Sequence, residues 1–207
     1  MDPIDLRVQK KVNTIPDALL DSIKGNVPKN VKAVMSHILW FYAFDKPTTT
    51  RFGDRIGLRT RTTEIDLFDQ DTCDAQSSSD SRSMRMVCEV DVVEDMVNYE
   101  GTLHSGCIAY LMDMCTSVAL VGHSMLITGR PAARVSLALS ITYLHPVPLG
   151  AKLKVVCITP PPVSANASVL GEIWDVTNNR LAAIAEHGQM SPSAPIVKQV
   201  LPLKASL

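Results

Sequence analysis

The residues best suited to chemistry lie between Asn98 and Asp113, in NYEGTLHSGCIAYLMD. The stretch begins polar and turn-like and becomes a nearly unbroken apolar run. Continued to Val121, that run contains one charged residue, Asp113. A carboxylate buried without a partner is costly, so such a group is neutralised, paired or functional. From the pattern alone, a structural Asp113 is as good a reading as a functional one. The start of the run, Gly101-Thr102-Leu103-His104-Ser105-Gly106, adds a second element. Backbone N–H groups at a helix start lack partners and carry the positive end of the helix dipole. They suit a developing oxyanion at a polarised carbonyl. Gly106 lets a ligand approach the backbone closely. His104 is a candidate donor to a ligand, or else a cap or a core hydrogen bond.

Spacing sets a condition on these two elements. His104 and Asp113 are nine residues apart. At ~100° and ~1.5 Å per residue they fall on opposite helix faces, roughly 13 Å apart along the axis. One chain does not easily bring both to the same carbonyl. Two chains with antiparallel central helices would, each giving the oxyanion donors of one site and the acid of the other. If both residues are catalytic, the spacing predicts a symmetric dimer with two shared sites.

The elements that must position these residues follow from periodicity. Residues 1 to about 50 read as helical. Thr14 to Gly25 is a short helix, and a second one follows Pro28 with apolar Val31, Val34, Met35, Ile38, Leu39 and Tyr42 on one stripe. The stretch TTEIDLF is a strand, and the polar DQDTCDAQSSSDSRS after it is a hairpin loop. Met84, Met86, Cys88, Val90 and Val92 alternate with Arg85, Val87, Glu89 and Asp91, the period of a half-buried strand. After the apolar helix come strands in Arg134 to Leu144, Lys152 to Thr159, Ser168 to Val176 and Leu181 to Gln189, with short connections that favour an antiparallel meander. A helix apolar on all sides must be surrounded. It has about 17 residues to Val121, short of the roughly 20 needed to span a bilayer, and it carries an acid at mid-length. The predicted fold is therefore α+β: a curved antiparallel sheet wrapped around one long central helix, with an N-terminal helical extension. The expected division is 1–57 extension packing on the main domain, 58–190 main domain, and 191–207 tail.

Composition narrows the function classes. The chain has 207 residues and a net charge of −1, so nothing global favours nucleic acid or an anionic membrane. The five cysteines are odd in number and form no CxxC pair, which reads as reduced thiols in an intracellular, cytoplasmic protein, with mitochondrion and peroxisome left open. The five histidines are scattered without metal-ligand spacing, so no metal is expected.

Asn98-Tyr99-Glu100-Gly101-Thr102-Leu103-His104-Ser105-Gly106, with Asp113 seven residues on, resembles the N-x-x-G-x-L/I-H-G-G…D pattern of the hotdog-fold acyl-CoA thioesterases. The thioesterase-superfamily-member and phenylacetate-pathway type is the nearest in look. Val135-Ser136, Ile141-Thr142-Tyr143-Leu144-His145-Pro146 and Leu149-Gly150 are similar to the same family's later segment. The likeness covers about residues 84 to 190. It implies that Asp113 is the general base or the nucleophile, and that Asn98 positions water or the substrate carbonyl. It implies an oxyanion site at the Ser105 and Gly106 N–H groups, with His104 orienting the thioester and Ser136 helping to orient the water. It implies homodimers, often paired into tetramers, an acyl-CoA substrate, a place in lipid metabolism and no cofactor beyond the coenzyme A of the substrate. Ser105 departs from the family, which has Gly there, and Ser tolerates fewer backbone conformations. Basic residues that relatives carry near the last strand are missing, so Arg130, Arg134, Lys152 and Lys154 are the candidates for the coenzyme A phosphates.

Three rivals stand beside this reading. Gly122-His123-Ser124-Met125-Leu126 nearly fits a nucleophile elbow, but it lacks the last Gly and follows a helix. A non-catalytic acyl-CoA or fatty-acyl binding protein would use the apolar tunnel that the resemblance implies between the subunits of a hotdog dimer, without hydrolysis. A structural subunit would use the N-terminal helix as a dock.

Overall fold

In the computed structural model of the chain, residues 15–38, 51–69, 82–132, 134–161 and 166–192 are described. Among the described residues three short helices come first: α1 (Asp17–Ser22), α2 (Lys29–Met35) and α3 (Asp54–Arg59). Strands β1 (Arg61–Asp69) and β2 (Arg82–Asp91) follow, then the long helix α4 (Ser105–Thr128). Strands β3 (Val135–Tyr143), β4 (Lys152–Thr159), β5 (Asn166–Asp175) and β6 (Arg180–Met190) complete the order. All six strands form one antiparallel sheet in the order β1-β2-β4-β5-β6-β3. Helix α4 lies against its inner face, so the expected hotdog architecture is the one observed.

The alternation in β2 does what its pattern requires. Met84, Met86, Cys88 and Val90 point inward and are buried. Leu111, Met112, Cys115, Val118 and Ala119 of α4 meet them and the inward residues of β4 and β5 in a continuous core. Gly171 on β5 is required by this packing. A Cβ there would stand 2.8 Å from Met112 Sδ, so the sheet approaches the helix more closely than a side chain allows.

The sequence expectations need four corrections. Helix α4 has 24 residues, not about 17, and ends where Gly129 adopts φ 74° and its N–H bonds Met125 O. Gly122-His123-Ser124 does not break it: His123 Nε2 meets Arg82 O at 3.0 Å, and Gly122 leaves room for Met35. Length therefore does not argue against a membrane. The sheet packed on the helix does, since most of its apolar surface is already buried. Second, α2 stops at Met35, because Ser36 Oγ turns back to Ala33 O and His37 pairs with Arg61 instead; Leu39 and Tyr42 lie outside the described residues. Third, a short helix, α3, stands just before β1, where the sequence reading places no separate helix. Fourth, the meander covers only β4, β5 and β6. Both edges of β4 are taken, by β2 and β5, so β3 crosses to the far side and pairs with β6. The hairpin loop expected after β1 lies at 70–81, outside the described residues.

The extension also covers one edge of the sheet. Lys24 N–H donates to Thr63 O at 2.9 Å, and Ile65 N–H donates to Lys24 O at 3.0 Å. Asn26 brackets Leu67 through both its amide atoms at 2.8 Å. The opposite edge, β3, has no such cover among the described residues, and Leu137 on it is 59% exposed.

Candidate active site

The turn before α4 is built around Asn98. Its side-chain oxygen accepts from Glu100 N–H at 3.0 Å, Thr102 N–H at 3.1 Å and Thr102 Oγ1 at 3.2 Å. That leaves the amide Nδ2 as its remaining donor group. Gly101 closes the turn at φ 75°, a conformation that favours glycine. Asn98, Leu103, Ser105, Ile108, Tyr143 and His145 are among the residues lining a cleft of about 320 Å³.

His104 is the N-cap of α4. Its Nδ1 accepts from Gly106 N–H at 2.9 Å, so the neutral ring carries its proton on Nε2. Gly106 is close beneath it: a Cβ would lie 3.1 Å from His104 Nδ1. The cap answers part of the sequence reading. Gly106 N–H already has an acceptor, whereas Ser105 N–H makes no hydrogen bond among the described residues.

Asp113 sits two turns along the same helix, in a different group of residues. Its side chain is 46% exposed, so the carboxylate is not buried as the sequence pattern suggested. Ala109, Tyr110, Asp113 and Met114 form a half-open stripe on α4 that the sheet does not cover. Ser136 Oγ, from β3, lies 3.4 Å from Asp113 Oδ1. His187 Nε2, from β6, lies 3.6 Å from the same oxygen and 2.9 Å from Ser136 Oγ. His187 is fully buried. Burial pulls its pKa below the ordinary value, against an upward pull from Asp113. Thr116 Oγ1 meets its Nδ1 at 2.6 Å, and Gln189 lies behind it.

One chain therefore brings Asp113 and Ser136 together and brings Asn98, His104, Ser105 and Gly106 together, but it does not join the two groups. His187 is the residue that sequence reasoning passed over. The one available signal was register: an inward polar residue at every second position of a strand, His187 then Gln189, among alanines and glycine. Of the four candidate cations, Lys152 and Lys154 point to the outer face, ion-paired with Asp91 at 3.2 Å and Glu89 at 3.6 Å. Arg130 is in the exposed turn after α4, and Arg134 is half-buried two residues before Ser136. Among the described residues no group of three His, Cys, Asp or Glu could hold a metal ion. The near-elbow at Gly122-His123-Ser124 is inside α4, with His123 and Ser124 buried.

Residues 100–159 match the sequence profile of the thioesterase superfamily. Human acyl-coenzyme A thioesterase 13 is 41% identical over 66 residues, 32% of this chain and 44% of that protein. The mouse protein of the same name is 36% identical over 69 residues, 33% of this chain and 46% of that protein. The matched segment thus spans less than half the length of these relatives. The crystal structure of zebrafish thioesterase superfamily member 2 shares the fold with a TM-score of 0.54 at 22% identity, over 79% of this chain and 96% of that one. Residues 100–159, the stretch that matches the thioesterase-superfamily profile, lie at the centre of a hotdog fold shared with that structure.

Proposed function

We propose that the chain hydrolyses acyl-CoA thioesters to free acid and coenzyme A, as a homodimer in which each site is built from both copies. The observation that carries this reading is the division of one chain into two incomplete groups. Asp113 and Ser136 form an acceptor group. Asn98 Nδ2, His104 Nε2–H and Ser105 N–H form a donor group. Ser105 and Asp113 are eight residues apart on one helix, ~12 Å along its axis, too far to act on one carbonyl. The uncovered β3 edge lies beside Asp113, where a second copy placed antiparallel would bring its donor group to the first copy's acid.

The chemistry then follows from charge. The donor group polarises the thioester oxygen and takes up the negative charge that develops there. Asp113 removes a proton from water as the water attacks the carbonyl carbon. The tetrahedral intermediate collapses, the C–S bond breaks, and the proton on Asp113 passes to the departing thiolate. No cofactor enters these steps. Contact with the coenzyme A phosphates falls among the four cations Arg130, Arg134, Lys152 and Lys154. Pairing of dimers into tetramers belongs to the same proposal.

A binding protein without turnover is the second reading, and one observation favours it: His104 occupies the Gly106 N–H. Thiol release from a panel of short, long and aromatic acyl-CoAs decides between them. Turnover of some member at well above the buffer rate supports hydrolysis. Saturable binding of acyl-CoA with no thiol release from any member establishes the binding reading instead.

A further inference from the structure

The hydrogen bonds around His187 have a direction, and that direction can be worked out from donors alone. Thr116 Oγ1 has one proton. It sits 2.6 Å from Met112 O, the carbonyl one helical turn back, and a carbonyl only accepts. Toward His187 Nδ1, at 2.6 Å, Thr116 must therefore accept, which puts a proton on Nδ1. A neutral imidazole has one N–H, so Nε2 is an acceptor. Gln189 Nε2 is 3.2 Å from both ring nitrogens and does not choose between them. Ser136 Oγ is 2.9 Å from His187 Nε2 and 3.4 Å from Asp113 Oδ1, and it too has one proton. The shorter contact takes it.

We infer that His187 positions the nucleophilic water of the proposed thioesterase, by drawing the Ser136 proton away from Asp113. With that proton on the His187 side, Asp113 Oδ1 and the Ser136 lone pair are two acceptors 3.4 Å apart, both accessible from the open face of α4. One water can donate a proton to each. Its lone pair then points away from both, toward the position of the thioester carbon. Without His187 the Ser136 proton turns to Asp113, the carboxylate is occupied, and the water loses its second anchor. His187 touches neither substrate nor water here, so it is a positioning residue. Thr116 acts one step further back, by fixing the tautomer. The inference rests on the thioesterase reading.

The same geometry fixes a pH dependence. Asp113 from α4 is the charged group set against the ring; the neighbours across β3 and β5, Leu139 and Val169, are apolar. Burial keeps the ring neutral at pH values where an exposed histidine is already charged. As pH falls through the lowered value, Nε2 gains a proton and donates toward Asp113 or Ser136, closing the water site.

The test uses the full chain and the acyl-CoA that the wild type turns over best. His187→Phe fills the space without an acceptor. His187→Gln offers a carbonyl to Ser136 and an amide N–H to Thr116. Thr116→Val removes the acceptor for Nδ1–H. The expected result is a kcat about 30-fold lower in His187→Phe with KM within about twofold, recovery to within about fivefold of wild type in His187→Gln, and a loss of about fivefold in Thr116→Val. The acid limb of the wild-type kcat profile should contain a step that His187→Gln lacks. Nitrogen-15 shifts of the wild-type ring need no variant to fold, and should report the Nδ1–H tautomer at neutral pH. An Nε2–H tautomer, or wild-type kcat in His187→Phe, overturns the inference and leaves the thioesterase reading standing. A wild type that releases thiol from no acyl-CoA defeats that reading, and this inference with it.

Discussion

The two halves of α4 are built for different ends. From Ser105 to Met114 one stripe of the helix is half-open, and it carries the cap, the free Ser105 N–H and Asp113. From Cys115 to Met125 every residue is buried, between the sheet and the N-terminal extension. Met35 of α2 rests on Gly122 so closely that a Cβ there would stand 1.9 Å from its sulfur. His123, in the same half, has its ring fully buried and its pKa lowered to about 4 by that burial. The difference teaches that the sequence's one apolar run contains two regimes. The first half leaves polar groups available to a substrate. The second half supplies the burial that keeps the first half fixed. Substitutions in the first should change rate with little effect on stability, and those in the second, apart from Thr116 where it meets His187, should do the reverse.

The largest effect expected is on rate, in the open half. Asp113→Asn keeps the shape and removes the charge. It should lower kcat about 1,000-fold, equivalent to about 4 kcal/mol, while the thermal midpoint stays close to wild type. A large drop in the midpoint would break the comparison, because it would make Asp113 a structural acid. Gly122→Leu is the counterpart in the sealed half. It forces side-chain atoms into the space of Met35 and should cost about 3 kcal/mol of unfolding free energy in urea titrations. The fraction that folds should keep its activity.

His123 gives a pH test of the sealed half. Its folded pKa, about 4, is lowered from 6.5, so the unfolded chain binds the proton more readily. Stability is therefore full above about pH 6.5 and falls as pH drops toward 4, by up to about 3 kcal/mol. Urea midpoints at pH 7 and 5 check this, and His123→Gln should flatten the fall. A smaller effect than these three is expected of Ser136→Ala. It removes one of the two acceptors beside the water and should lower kcat about tenfold with KM nearly unchanged, measured by steady-state thiol release.

Much of the fold was legible because period and composition act locally. The alternation from Met84 to Val92 placed an inward face that the structure confirms from Met84 to Val90, and the apolar run marked the central helix. Its end was not legible, because Gly122-His123-Ser124 looks like a break unless Met35 and Arg82 are known to stand opposite. The place of β3 was missed for a similar reason. A short connection to β4 suggests a hairpin, and only the occupancy of both β4 edges rules it out. At the site, the spacing of His104 and Asp113 already separated acid from donors. The exposure of Asp113 was not readable, since it depends on which stripe of α4 the sheet leaves uncovered. Nor was His187, whose meaning comes from Thr116 and Ser136, each more than 50 residues away in sequence.

The central claim is that each site takes its acid from one copy and its carbonyl donors from the other. Complementation tests it most directly. Asp113→Asn and Asn98→Ala chains, each carrying a different tag, should be nearly inactive alone. Hybrid dimers isolated through both tags contain one site with both defects and one with none. The account predicts that thiol release by these hybrids returns to about half the wild-type rate per dimer. Hybrids as inactive as either parent would contradict it, and would place both groups of residues at a site within one chain.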